Sequence, residues 1–145
     1  MTMPDSRFAT MRLAEAPTAV APDGSSVRPL FSLAAGSVAH FQLDAGQTSW
    51  AVTHRTVEEI WYVTTGRGDM WRKQDRREET VALEPGICLT IPAGTHFQFR
   101  AAPSAPLTIV AITMPPWPGE AEAVMVPGPW TASVSHESHP ANETA

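Results

Sequence analysis

Residues 53–68 read THRTVEEIWYVTTGRG: one histidine, two adjacent carboxylates, an aromatic and branched run, then a Gly-x-Gly turn. The run from Glu59 to Thr65 has the composition of a strand, because branched and aromatic side chains pack well on a pleated, half-buried surface. With a period of two, Glu59, Trp61 and Val63 share one face and Ile60, Tyr62 and Thr64 the other. Alternation also turns Glu58 away from Glu59, towards solvent. Upstream, Thr48 to His54 forms a second alternating stretch that sets Trp50, Val52 and His54 together. Residues 86–100, GICLTIPAGTHFQFR, repeat the design with a glycine, a short strand, a Pro-Ala-Gly turn and another strand that begins with a histidine.

Working outward, Val27 to Leu33 reads as a short strand that Gly36 ends. Ser37 to Leu43 alternates, with Val38, His40 and Gln42 on one face and Ala39, Phe41 and Leu43 on the other. Asp69 to Lys73 returns from Gly66-Arg67-Gly68 as a hairpin partner. The mixed charges from Arg72 to Glu79 form its solvated tip. Glu84-Pro85-Gly86 and Pro92-Ala93-Gly94 carry the chemistry of tight turns, proline presetting one angle and glycine permitting a positive φ. In the strand after that turn, His96, Gln98 and Arg100 lie opposite Phe97 and Phe99. Leu107 to Met114 is apolar on nearly both sides, as in a strand buried between two layers. Short strands punctuated by turns about every 8–12 residues, without a helical period, describe an all-β sandwich or barrel.

The chain of 145 residues has room for a single core. A net charge of -5 without a basic patch speaks against nucleic acid or an anionic membrane as partner. Cys88 is the only cysteine, which precludes an internal disulfide and suits a buried strand position in a reducing compartment. No signal peptide and no run of roughly 18 apolar residues is evident, so the expectation is a cytoplasmic protein. Residues 1–26, with Pro4, Pro17, Pro22 and Gly24, read as a flexible arm that Phe8, Met11 and Leu13 could dock on a neighbouring surface. Residues 27–130 form the folded unit. Its end, from Met114 to Trp130, has five prolines in seventeen residues and should cross the surface as irregular chain held by Trp117 and Trp130. Residues 131–145 read as a disordered tail, with His136 and His139 solvated.

The two stretches together resemble the paired motifs of the cupin superfamily. The first motif is Gly, five residues, His-x-His, three or four residues, Glu, six residues, Gly. Gly46, His54, Glu59 and Gly66 match it, and Val52 stands where the first histidine would be. The second motif is Gly, five residues, Pro-x-Gly, two residues, His, three residues, Asn. Gly86, Pro92 and Gly94 match; His96 arrives one residue early and Arg100 takes the asparagine place. Two alternatives stand. A shortened turn would point His96, Gln98 and Arg100 inward, whereas a full-length turn would put His96 outside and Phe97 in its place.

The resemblance spans about residues 36–114. It implies a single antiparallel β-barrel, the double-stranded β-helix or jelly-roll-like cupin fold, and pairing of two copies as a homodimer, with the arm as a candidate for exchange. The family's usual ligands imply a metal set of His54, Glu59 and His96. Two imidazoles and a carboxylate suit divalent Fe, Mn, Ni or Zn and leave positions open for substrate. Position 40 stands either as a replacement ligand or as a half-exposed histidine. Trp50 and Trp61 share a face with His54 and Glu59, and Gln98 and Arg100 would add donors for a substrate carboxylate or enolate, which together outline a small-molecule pocket. Two functions follow. One is a metal-dependent oxygenase, isomerase or lyase, with Glu59 as general base if metal is absent. The other is a metal-free small-molecule binding or sensor protein.

Overall fold

The computed structural model describes residues 7–134. Among them are eleven strands, two 3₁₀ turns at Leu13–Glu15 and Glu120–Glu122, and no α-helix. Six strands form one antiparallel sheet in the order β1 (Ala19–Val20), β2 (Ser26–Ser32), β3 (Ser37–Leu43), β10 (Leu107–Met114), β5 (Glu58–Thr65), β8 (Cys88–Ile91). Five form the other: β11 (Ala123–Met125), β4 (Val52–His54), β9 (His96–Ala101), β6 (Gly68–Gln74), β7 (Arg77–Leu83). From β3 to β11 the chain changes sheet at every step except between β6 and β7. This is the all-β, double-stranded β-helix that the motif resemblance implied. No helix of the described residues is long and apolar enough to cross a membrane.

Period-two burial makes the core. On β5, Glu59, Trp61 and Val63 are buried and Glu58 and Tyr62 exposed; on β10, Leu107, Ile109, Ala111 and Thr113 turn inward. Sheet two contributes Val52, Met70, Leu83, Phe97 and Phe99. Trp61 joins the layers, with Phe97 and Phe99 edge-on at ring-centroid distances of 5.9 and 4.9 Å and Phe41 stacked at 6.0 Å. Such aromatic pairs add about 0.5–1.5 kcal/mol beyond their buried area. The reading of Cys88 as buried is corrected: it is exposed, because the alternation of β8 gives the interior to Leu89 and Ile91.

Gly66 ends β5 with φ +85°, and a Cβ there would run into the Pro106 carbonyl oxygen. Both the turn and the close backbone approach require glycine.

Both ends of the described chain are woven into the barrel. Residues 7–26, read as an arm, supply β1, paired with β2, and bury Ala16 and Ala21. Asp23-Gly24-Ser25 closes a turn in which Ser25 N donates to Asp23 Oδ1 at 2.9 Å, and Trp50 N donates to the Asp23 carbonyl at 2.8 Å. At the other end, Val126 N bonds Ala51 O at 3.0 Å and Ser133 N bonds Thr48 O at 3.0 Å, so residues 131–134 lie against the barrel. Residues 1–6 and 135–145, and with them His136, His139 and most of the expected tail, lie outside the described residues.

Glu122 pins the strap between β10 and β11. Its buried carboxylate accepts from Thr56 N at 2.5 Å, Val57 N at 2.7 Å and Thr56 Oγ1 at 2.8 Å. Burial by itself would raise this carboxyl, but the donors from Thr56 and Val57 outweigh it and hold the group below its ordinary 4.5. A carboxyl depressed on folding stabilises fully above that ordinary value, and the contribution is lost as pH falls through the lower folded value. Glu122→Ala should therefore cost roughly 2–3 kcal/mol at neutral pH by urea denaturation. The gap between variant and wild type should narrow as pH falls below about 4.5; a gap that is constant with pH would refute the role of its charge. Gly66→Ala should cost on the order of 3 kcal/mol in the same assay, because it combines a strained φ with a backbone clash.

Candidate functional site

A cavity of about 380 Å³ opens between the sheets, under the first strands and the strap that follows β10. Its walls include Phe41, Val52, Trp61, Phe97 and Trp117, and its polar groups include Asp23, His54, Glu59, Ser37, Thr113 and, at the exposed mouth, Glu120. Apolar walls around a few polar groups are the usual make-up of a small-molecule site.

His54 closes β4 and Glu59 lies near the start of β5, so the short connection through buried Val57 folds the two side chains onto one inner face. They are 5 % and 4 % exposed. His54 Nδ1 lies 3.0 Å from Glu59 Oε2, but off the direction a hydrogen bond requires. Glu59 Oε1 accepts the Trp61 indole N–H at 2.6 Å, a same-face bond between residues two apart on one strand. The carboxylate is thereby fixed with one oxygen on Trp61 and one towards His54. Phe97 and Trp117 present ring edges to the imidazole at 5.2 and 5.0 Å, which shields it from bulk water. Trp117 is placed by its backbone N–H, which donates to Ser37 Oγ at 3.1 Å, and that hydroxyl in turn contacts Thr113 Oγ1 across β3 and β10.

Asp23 is the third titratable group of the cavity and is 5 % exposed. Burial raises its carboxyl above the ordinary 3.8; the Ser25 hydrogen bonds oppose that shift, Glu59 adds to it and His54 opposes it. Both hydrogen bonds fall on one oxygen, from Ser25 N at 2.9 Å and Ser25 Oγ at 2.6 Å, so Oδ2 retains its acceptor capacity.

The sequence-derived site divides in two. His54, Glu59 and Trp61 come together at the cavity. His96 does not: it pairs with Thr53 and Lys73 in the sheet, while Phe97 opposes Val52 and faces inward. Of the two turn lengths, the full one is formed, with Thr95 N closing on Pro92 O at 3.1 Å and Gly94 at φ +84°. Gln98 and Arg100 therefore also lie on the outer face of β9. Buried Gln98 Nε2 donates to Ser49 O at 2.8 Å and Trp130 O at 2.9 Å, and its Oε1 accepts from Trp130 N at 3.1 Å. Arg100 pairs with Asp69 at 2.9 Å and covers the Trp130 ring at 4.0 Å. These two residues hold the C-terminal segment on the barrel instead of gripping a substrate carboxylate. Trp50 packs against the core outside the cavity lining. His40 takes the half-exposed alternative, its imidazole lowered by partial burial and by Arg28 on the neighbouring strand.

Asp23 and Trp117 were missed as site residues, whereas Phe97 is the inward residue of the full-length-turn alternative. Asp-Gly-Ser is a turn signature that could have flagged Asp23, since an Asp side chain caps its own turn two residues on. Nothing local announced that Trp117 would return over His54, a contact that spans the whole barrel.

The donor set does not fit the metal centre that the motifs imply. Val52 and Phe97 put apolar side chains at two of the four ligand places, Glu59 is engaged by Trp61, and His96 points away. Among the described residues no group of three His, Cys, Asp or Glu side chains could hold a metal ion.

Comparison with known proteins agrees with the architecture. No curated protein matches the chain by sequence. Among solved structures, BH2720 from Bacillus halodurans is similar at 22 % identity and TM-score 0.62, over 83 % of this chain and 90 % of that one. The Streptomyces protein Pac13, described as a nucleoside dehydratase, is similar at 14 % identity and TM-score 0.67, over 92 % and 99 %. A Klebsiella pneumoniae protein with a double-stranded β-helix domain is similar at 13 % identity and TM-score 0.65, over 84 % and 100 %. At these identities the likeness concerns the fold alone. Residues 39–113 match the cupin domain family, and with more than half of its length inside that match, the chain belongs to the cupins.

Proposed function

We propose that this cupin binds a small organic molecule in the cavity between its sheets and works on it without a resident metal ion, with His54 as the proton-transfer group and Glu59 as the residue that orients it. The observation that carries this reading is the buried His54–Glu59 pair opening on a cavity of about 380 Å³ whose other ligand places hold Val52 and Phe97. Glu59, fixed by Trp61, faces His54 Nδ1, which leaves Nε2 as the nitrogen for a ligand. An imidazole can both accept and donate a proton through its two ring nitrogens, the requirement for general acid–base work. The aromatic rings about it exclude water and strengthen any polar contact made inside.

The relatives of known description lend the reading general support, since Pac13 is named a nucleoside dehydratase and was solved with uridine bound. A metal-dependent oxygenase, isomerase or lyase would need donors beyond His54 and Glu59, which makes the metal-free branch the better supported one.

Metal analysis of protein purified without chelator should give well below one divalent ion per chain, and chelator should leave its melting temperature unchanged. A stoichiometric metal, or a melting rise when Fe(II), Mn(II), Ni(II) or Zn(II) is added back, would overturn the metal-free reading. Small aromatic ligands should raise the melting temperature equally with and without chelator. Ala39→Leu, which fills the cavity from β3, should abolish that rise while the protein remains folded by circular dichroism.

A further inference from the structure

The charges on the cavity wall restrict what can enter it. Asp23 and Glu59 are buried there and Glu120 stands at the mouth, yet the lining contains no lysine or arginine. Arg28 lies next to two lining residues, Val27 and Pro29, but its side chain is directed to Thr18 and the Leu13 carbonyl. Arg100, the cation that might have met an anionic ligand, is committed to Asp69 and Trp130 on the outside. Among the described residues, the only basic group lining the cavity is His54, and it already faces Glu59.

Asp23 is thus a buried carboxyl with no lysine or arginine beside it among the described lining residues. Its fixed oxygen is Oδ1, held twice by Ser25, and its second oxygen is available to a ligand. Leaving a carboxyl in an apolar enclosure is costly unless a counter-charge or donor arrives. An ammonium group would provide both, because a charge-assisted N–H···O bond is about twice as strong as a neutral one. The aromatic walls at Phe41, Trp61, Phe97 and Trp117 suit a ring or hydrocarbon frame attached to it, and their faces attract cations. A carboxylate or phosphate would instead meet two buried acids, with no lysine or arginine among the described lining residues and a histidine that already faces Glu59.

We propose that the cavity is specific for organic amines with an aromatic or alicyclic body, and that Asp23 is the residue that binds the ammonium group. This rests on the metal-free cavity reading above and names its ligand class; Asp23 is a specificity residue, separate from the proton-transfer pair.

The test compares three probes of nearly equal size, 2-phenylethylamine, 2-phenylethanol and phenylacetate, by calorimetric titration of the full chain in chelator. The amine should bind at least about tenfold tighter than the alcohol, the difference expected of one charge-assisted bond, and phenylacetate should bind weakest. Asp23→Asn should reduce the amine to the alcohol's affinity and leave the alcohol's unchanged; its folding is checked by that retained alcohol binding. If the alcohol or phenylacetate binds as tightly as the amine to wild type, the ligand class is wrong while the metal-free cavity stands. Undiminished amine preference in Asp23→Asn would remove Asp23 from the role. If none of the three binds wild type, both the ligand class and the cavity reading fall.

Discussion

The pairing of β4 with β9, which sets Val52 opposite Phe97, is the constraint on which the rest of the site depends. A strand has only two faces, and shifting its register by one residue exchanges them completely. Once Phe97 and Phe99 enter the interior, His96, Gln98 and Arg100 must leave it. The inner face of β9 then offers an aromatic wall where a ligand-bearing strand would offer an imidazole, and His54 and Glu59 remain as a pair. The energetic reason is plain: burying two phenylalanines recovers about 1.5–3 kcal/mol each, whereas burying a histidine, a glutamine and an arginine there would require partners for every polar atom.

The outward turn of β9 has a second effect, on the ends of the described chain. Gln98 finds its partners in Ser49 and Trp130, and Arg100 in Asp69 and the Trp130 ring, so the C-terminal segment is fastened by side chains whose sequence position suggested ligand binding. Gly128 belongs to the same fastening, because a Cβ there would press on Gln98 and Ala51. The strap before it carries Trp117 over His54 and is anchored by Glu122 on the β4–β5 turn. At the opposite end the Asp23 turn is held by Ser25 and by Trp50 N. The cavity depends on the segments laid across the barrel, since residues 19–23 and the strap at Trp117 to Ala123 supply part of its wall.

That arrangement makes the electrostatics of the cavity lopsided. Acidic groups arrive from three separate places, the Asp23 turn, β5 and the strap, while the arginines near them face outward. A low-dielectric enclosure strengthens such an imbalance, since no solvent screens it. The amine specificity proposed for the cavity rests less on the His-Glu motif than on which charged residues the fold keeps away from it.

Local pattern was enough to determine the architecture. Alternation in β3 and β5, glycines at turns that need positive φ, and the motif spacing around Glu59 and Gly66 are properties of adjacent residues, and each survives into the structure because a strand's period and a turn's angles are set within a few residues. The same locality made His54, Glu59 and Trp61 legible as neighbours. Tertiary structure alone decided the orientation of β9, because a one-residue difference in the length of a turn reverses every side chain after it and sequence left both lengths open. It alone also brought Asp23 and Trp117 to the cavity. Those two come from segments whose proline- and glycine-rich composition carries no period, and only contacts made across the whole barrel tell them where to lie.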